Sequence, residues 1–530
     1  MGPTAVTPAE AQHYRKAGWW SDLTLSQLVR DHAGASPDKP AYVDFTPASS
    51  TKLTWSELDC AADNLAYQLL DMDVTGGDRV ALWHKDTATI HVALVAIERC
   101  GAAVVGLGSR AGVREAAHIL RTTRPRLLLS DVERLPSARQ AADSALPTAA
   151  LGEDLTVDTR PGRRMAAPTG AGPDDVFLIN STSGTTGLPK CVVHTQNRWH
   201  YFHLKAVANG NLISDDVFLP VIPTPFGFGI WTSHTTPIHL GATTVRIERF
   251  DAGATCAAIE RHRATVLCCV SSQLAMILAD PGFARHDLTS LRVVFTGGEP
   301  LPYTQAARFE ELTGATILQF YGSNETGMLS ATTLADPLER RLRTAGRIVP
   351  EMQVRLFDGD RDVTHTGRGQ PACRGPALSL GYLDGTDHDK LFTADGWMRM
   401  GDICELDAHG YLTLTGRTSD FILRGGKNIS AVEVEELVAG HPAVAVAAAV
   451  AMPDPVLGER VCAFVELRQG AELDLPTLVD HLLAQGVSKE LLPERLEILD
   501  ELPRSSGGKV AKGQLRELIR RQLLEQGQPS

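Results

Sequence analysis

The chain has 530 residues, 43% hydrophobic and 22% charged, the balance of a globular protein too long for one compact core. A formal net charge of −12 argues against nucleic-acid binding through bulk electrostatics, although a small anion needs only a few local cations. No apolar run of about 18 residues suggests a membrane span, and no basic segment followed by an apolar one opens the chain, so a cytoplasmic location is expected. The nine cysteines are scattered without Cys-x-x-Cys spacing, which points to neither a disulfide framework nor a zinc site.

Along the chain, residues 24–33 have the apolar spacing of an amphipathic helix. Residues 41–44 and 52–54 read as short strands before a helix over 55–72. Strands at 80–83 and 103–106 flank a helix near 90–100. This alternation predicts a layered α/β domain. Residues 135–174, rich in Ala, Pro, Gly, Ser and Thr, read mainly as a surface connection. A second α/β unit begins near Pro173, with buried strands at 265–270 and 293–296. Strands at 354–357 and 411–415 suggest a later β-rich region. After residues 418–420 a self-contained pattern follows: a helix at 432–439 with Glu433, Glu435 and Glu436 exposed, strands at 444–452 and 460–467, and helices at 475–485 and 512–524. Domains of 1–418 and 419–530 are therefore expected, the second a small α+β unit.

The most informative stretch runs from Thr182 to Lys190. Thr182, Ser183, Thr185 and Thr186 carry hydroxyls, Gly184 and Gly187 permit a tight turn, and Lys190 supplies a cation. Apolar runs at 176–179 and 191–193 make it a loop between two strands, where backbone N–H groups can turn toward an anion. It is not a P-loop, because Pro189 rather than Gly precedes Lys190 and no helix opens there.

Six further motifs follow in order. They are Gly297-Gly-Glu-Pro300, Tyr321-Gly-Ser-Asn-Glu-Thr-Gly327, Gly396-Trp-Met-Arg-Met-Gly-Asp402, Gly416-Arg-Thr-Ser-Asp420, Arg424-Gly-Gly-Lys-Asn-Ile-Ser430 and Pro503-Arg-Ser-Ser-Gly-Gly-Lys509. Together they resemble the adenylate-forming superfamily of acyl- and aryl-CoA synthetases, luciferases and peptide-synthetase adenylation domains. The resemblance covers most of the chain and implies a large multi-layered N-terminal α/β domain with a β-rich subdomain, and a small mobile C-terminal one.

It also implies roles. The Thr182–Lys190 loop would bind the β- and γ-phosphates of ATP, and Glu325 would hold Mg²⁺, a cation that takes oxygen ligands. Tyr321 would face adenine, Gly298, Glu299 and Pro300 would line the purine edge, and Asp402 would accept the ribose hydroxyls. Arg417 would contact phosphate or ribose, and Lys509 would bridge the acid and the α-phosphate. Asn324 stands where relatives carry threonine and is expected to retain hydrogen bonding to phosphate. Ser419 would be the hinge of a domain rotation, in place of the usual Asp or Lys. Gly425 and Gly426 would line a tunnel for a pantetheine thiol.

The opening His13-Tyr-Arg-Lys-Ala-Gly-Trp-Trp20 resembles that of aryl-acid AMP ligases. In those enzymes the pocket strand carries a His-Asn pair, whose Asn binds the 2-hydroxyl of the acid. Here Phe226 and Gly227 occupy those positions, so an ortho-hydroxyl recognition group is not expected there. Phe226, Gly227, Phe228, Trp231, Gly297 and Gly322 would form a roomy aromatic pocket for an aromatic, cyclic or medium-chain acid. CoA or a separate carrier protein would accept the acyl group. Alternatives are activation of nitrite for transfer to an aryl amine, a luciferase-like oxygenase, and a non-catalytic nucleotide-binding protein.

Overall fold

The computed structural model describes residues 6–165, 172–182, 189–385, 391–417, 421–424, 427–455, 457–485, 487–489, 491–505 and 508–525. Two largely parallel sheets form the frame of the large domain. One has nine strands, with Val217–Pro220, Val266–Cys268, Val293–Gly297 and Thr316–Ser323 at its centre. The other has six, with Arg79–Trp83, Ala103–Gly106 and Val176–Ser181 side by side.

Alternation along each strand sends neighbouring side chains to opposite faces. Val293 and Phe295 enter the core shared by both sheets, while Val294 faces the outer layer. Leu82 and Val104 likewise face inward, whereas Trp83 and Val105 face outward. Strands buried on both faces read as continuous apolar runs, as parallel sheets require.

Helices Trp55–Asp71, Ala88–Arg99 and Gln196–Gly210 fill the space between the sheets. The first begins at a reciprocal cap: the Thr54 side chain accepts from Glu57 N and the Glu57 carboxylate accepts from Thr54 N. Its Leu58, Leu65 and Leu69 recur at helical spacing and are fully buried. Truncating one of them to Ala would cost about 2–5 kcal/mol.

Residues 135–174, expected mainly as a connection, contain helix Leu135–Ala141 and strand Thr148–Leu151. The strand pairs parallel to Leu127–Asp131 at the sheet edge. Both elements are too short and too alanine-rich to show a period.

A third, antiparallel sheet contains Gln353–Asp358, Arg368–Arg374, Asp402–Leu406 and Leu412–Arg417. The smaller C-terminal domain carries its own five-stranded sheet, led by Val444–Asp454 and Gly458–Leu467. Glu435, expected on the solvent face, is buried: its carboxylate accepts from Ala449 N and pairs with Lys512 at 2.7 Å. This domain packs on helix Ser271–Ala279 of the large one. Met276 and Ala279 lie against a core containing Leu502, Leu515 and Ile519. No helix among the described residues is long and apolar enough to cross a membrane.

Candidate active site

Strands Val176–Ser181 and Cys191–Thr195 are antiparallel neighbours, with Ser181 opposite Cys191. Thr182 N donates to Lys190 O at 2.9 Å, closing the neck of the glycine-rich loop. Ser183, Gly184, Thr185, Thr186 and Gly187 lie outside the described residues. The Lys190 ammonium sits 4.8 Å over the Tyr382 ring, and the Tyr382 hydroxyl donates to Glu325 Oε1 at 2.8 Å. The loop's cation and the candidate metal carboxylate thus share one aromatic support. The other Glu325 oxygen meets no partner among the described residues. No group of three His, Cys, Asp or Glu able to hold a metal occurs among those residues. One open carboxylate oxygen fits Mg²⁺, which takes most of its ligands from water and substrate phosphates.

Tyr321 ends the central part of strand Thr316–Ser323, where the register shifts before Gly322. Its hydroxyl donates to Asp402 Oδ2 at 2.8 Å. Asp402 is the first residue of strand Asp402–Leu406 and the cross-strand partner of Arg417. Pairing brings together two polar residues that are distant in sequence. Gly322 cannot carry a side chain, because a Cβ there would collide with the backbone of Gly327.

Beneath Glu325 lies a buried polar chain. Arg198 donates through Nε to Ala377 O at 2.9 Å and through Nη1 to Asn324 O at 2.6 Å. The same Nη1 contacts His194 Nδ1. His194 Nε2 reaches Asn180 Oδ1 at 2.7 Å, and Asn324 Nδ2 donates to that oxygen at 3.0 Å and to Ser181 O at 3.3 Å. Burial, followed by the charge of Arg198, holds His194 well below the usual imidazole range. Burial also lowers Arg198 to about 9, opposed by Glu325, so the guanidinium stays charged at neutral pH.

The aromatic wall forms around the short helix Gly227–Ile230 and the π-helical turn Trp231–Thr235. Phe228 meets Phe320 edge-on at 4.7 Å between centroids, and Trp231 meets Phe320 at 4.9 Å. Trp231 and Phe226 are buried behind the partly exposed Gly227, Phe228 and Phe320. A Cβ on Gly227 would lie 2.5 Å from Asn324 Oδ1, and one on Gly297 would lie 2.9 Å from the Phe320 ring.

Lys509 arrives from the small domain. Gly298 has φ +79°, and a Cβ there would lie 2.6 Å from Lys509 Nζ. Three contacts fix this approach. Arg504 donates to Ser272 Oγ at 2.9 Å, Val510 N donates to Glu299 Oε1 at 3.4 Å, and Ser505 N donates to Lys509 O at 2.7 Å. The Glu299 carboxylate also accepts from Ser271 Oγ and Ser272 N, so it ties the helix start to the small domain. Pro300 is exposed beside it. Successive neighbours therefore link Asn324, Gly227, Phe228, Phe320, Gly297, Gly298 and Lys509.

The sequence matches the AMP-binding enzyme family over residues 29–383 and the AMP-binding enzyme C-terminal domain over residues 433–509. The chain belongs to the AMP-binding enzyme family. It is 32% identical to the medium-chain fatty-acid–CoA ligase of Escherichia coli (strain K12), over 97% of this chain and 93% of that one. It is 31% identical to the 2,3-dihydroxybenzoate-AMP ligase of Bacillus subtilis (strain 168), over 97% of both. Its fold is similar to that of an anthranilate CoA ligase solved in complex with anthranoyl-AMP, with a TM-score of 0.85 at 24% identity, covering 94% of this chain and 98% of that one.

This AMP-binding enzyme is an ATP-dependent, AMP-forming acid–thiol ligase. Ser419, Gly425 and Gly426 lie outside its described residues; neighbouring Arg424 pairs with Glu494 at 2.8 Å. Tyr382, Asn180, His194 and Arg198 carry no motif of their own, and only the fold brings them to Glu325 and Asn324. A cleft beside Gly508 is lined by Lys85, Arg110, Arg134, Arg246 and Arg249 together with Asp86 and Glu248. Its five cations outnumber its two carboxylates, with Arg246 paired to Asp86 at 3.1 Å and Lys85 to Glu248 at 3.5 Å.

Proposed function

We propose that this enzyme activates an aromatic or cyclic carboxylic acid as its acyl-adenylate and passes the acyl group to the thiol of CoA or of a separate carrier protein. A medium-chain acid is the nearest competitor. The observation that supports this reading most is the meeting of Lys509 with Gly298 at the rim of an aromatic-walled face.

In the first step a carboxylate oxygen attacks the α-phosphorus of ATP and pyrophosphate leaves. Two anions must approach, so fixed cations and oriented donors lower the barrier. Lys509 offsets the charge between acid and α-phosphate, and Lys190 does so for the departing phosphates. Tyr321 stacks on adenine, with Asp402 accepting the ribose hydroxyls. Mg²⁺ held by Glu325 would neutralise part of the triphosphate charge. Tyr382 fixes one oxygen of that carboxylate and would leave the other for the metal.

In the second step the thiol attacks the acyl carbon and AMP leaves with the bridging oxygen. The acceptor's phosphates suit the cleft containing Arg110 and Arg249, where each cation raises the local demand for an anion. The test is acid-dependent pyrophosphate release across benzoates, cinnamates, cyclic and fatty acids, each with and without CoA. Nitrite, with and without aryl amines, completes the panel. Thioester formation from an aromatic acid supports the reading. Release only with nitrite and an amine, indifferent to CoA, overturns it.

A further inference from the structure

We propose that Asn324 is the hydrogen-bonding group of the acid pocket, its side-chain carbonyl accepting from an amino or hydroxyl substituent on the ring of the acid. This rests on the acid-adenylation reading above and narrows its substrate class.

The argument begins at Arg198. A guanidinium has only N–H donors, so His194 Nδ1, which faces Arg198 Nη1, must be the unprotonated acceptor. The ring proton is then on Nε2 and is donated to Asn180 Oδ1 at 2.7 Å. That settles which end of the Asn180 amide is oxygen, and its nitrogen donates to Pro225 O at 3.0 Å. Asn324 must in turn present its nitrogen to Asn180 Oδ1 and to Ser181 O, at 3.0 and 3.3 Å. Flipping the Asn324 amide would set oxygen against two oxygens. Both Asn324 amide hydrogens are therefore committed to protein acceptors, and neither is left for the phosphate contact expected from the sequence.

The Asn324 carbonyl is the group left for a ligand. Its one protein donor is Asn180 Nδ2, at a long 3.4 Å. It lies against Gly227, where a Cβ would come within 2.5 Å of it and within 3.5 Å of Trp199 Cη2. The absence of a side chain at 227 is what leaves the carbonyl room. Phe228 and Phe320 continue this face toward Lys509. A carbonyl has two lone pairs, so a donor on the acid would add a shorter second bond, whereas an acid without one leaves this oxygen only the long bond from Asn180.

The test measures ATP–pyrophosphate exchange with four acids of similar shape: 2-aminobenzoate and 2-hydroxybenzoate, against benzoate and 2-methylbenzoate. The 3- and 4-amino isomers locate the donor. Wild type is expected to favour the best donor-bearing isomer by about tenfold or more in kcat/KM, the scale of one hydrogen bond that would otherwise be lost. Asn324→Thr is expected to bring that ratio to within about threefold of one, the size of a residual packing preference. Gly227→Ala, which drives a methyl into the carbonyl, should lower the ratio as well. Because the ratio is read, a uniform loss of activity in either variant does not imitate the effect. A ratio near one in wild type, or one unchanged in Asn324→Thr while exchange persists, overturns the assignment. Absence of exchange with every acid overturns the underlying reading and this inference with it.

Discussion

Replacing Gly298 with alanine tests where Lys509 acts. The glycine has φ +79°, a region that costs an L-residue about 1–2 kcal/mol. Its new methyl would also stand 2.6 Å from Lys509 Nζ and 2.8 Å from Cε. Ordinary contact needs about 3.5–4 Å, so the ammonium must retreat by about 1 Å. A misplacement of that size in a catalytic group can cost about 100-fold in rate. Gly298→Ala should therefore lower acid-dependent ATP–pyrophosphate exchange about 100-fold while thermal unfolding reports a loss of only about 1–2 kcal/mol. Lys509→Ala alone should cost about 3 kcal/mol or more in activation free energy, with nucleotide binding retained. In a double-mutant cycle the Gly298→Ala penalty should largely vanish once Lys509 is alanine, because the displaced group is already gone. Full additivity of the two losses would refute the placement of Lys509 as the group acting at Gly298.

Tyr382→Phe removes the donor to Glu325 Oε1 and should raise the Mg²⁺ concentration for half-maximal exchange about tenfold, read by metal titration at saturating ATP. Arg110→Ala should raise the apparent KM for CoA several-fold while acid-dependent exchange stays within about twofold, since a half-exposed cation acts on the acceptor's phosphates rather than on the first step. Stability should also depend on the histidines His200, His203 and His239, whose rings lie 4.6–6.1 Å apart. Burial, then the neighbouring His200, lowers His203 from 6.5 to about 3, so the folded state resists a proton that the unfolded chain accepts. The stability is present above pH 6.5 and is lost as pH falls from 6.5 toward 3. His203→Gln should flatten that fall by at most about 1.4 kcal/mol per pH unit in denaturant titrations, and an unchanged slope would contradict it.

Motifs made of consecutive residues were legible in the sequence. The neck of the Thr182–Lys190 loop joins two strands, as the apolar runs on either side of its glycines and hydroxyls predicted. Lys509 was singled out only by the family resemblance of its Pro503–Lys509 motif, since in its own setting it reads as an ordinary solvated lysine. Asp402 and Arg417 were read singly, and pairing of two strands makes them neighbours. Arg198, His194, Asn180 and Tyr382 were not legible, because each is an ordinary polar or aromatic residue until the helix and strands that carry them converge. Glu435 was misread for the same reason: the carboxylate that buries it against Lys512 finds its partner about 77 residues away, beyond any helical period. Gly227 was read as an empty position, and the structure adds that Asn324 faces that opening.

The account stands most directly on the fate of one oxygen atom. The acid would be supplied with ¹⁸O in its carboxyl group together with Mg-ATP and CoA, and the nucleotide product analysed by mass spectrometry. Attack of the carboxylate on the α-phosphorus, then of the thiol on the acyl carbon, predicts AMP carrying one ¹⁸O, together with pyrophosphate and thioester. Formation of ADP and labelled inorganic phosphate, or of AMP with no label, would contradict it.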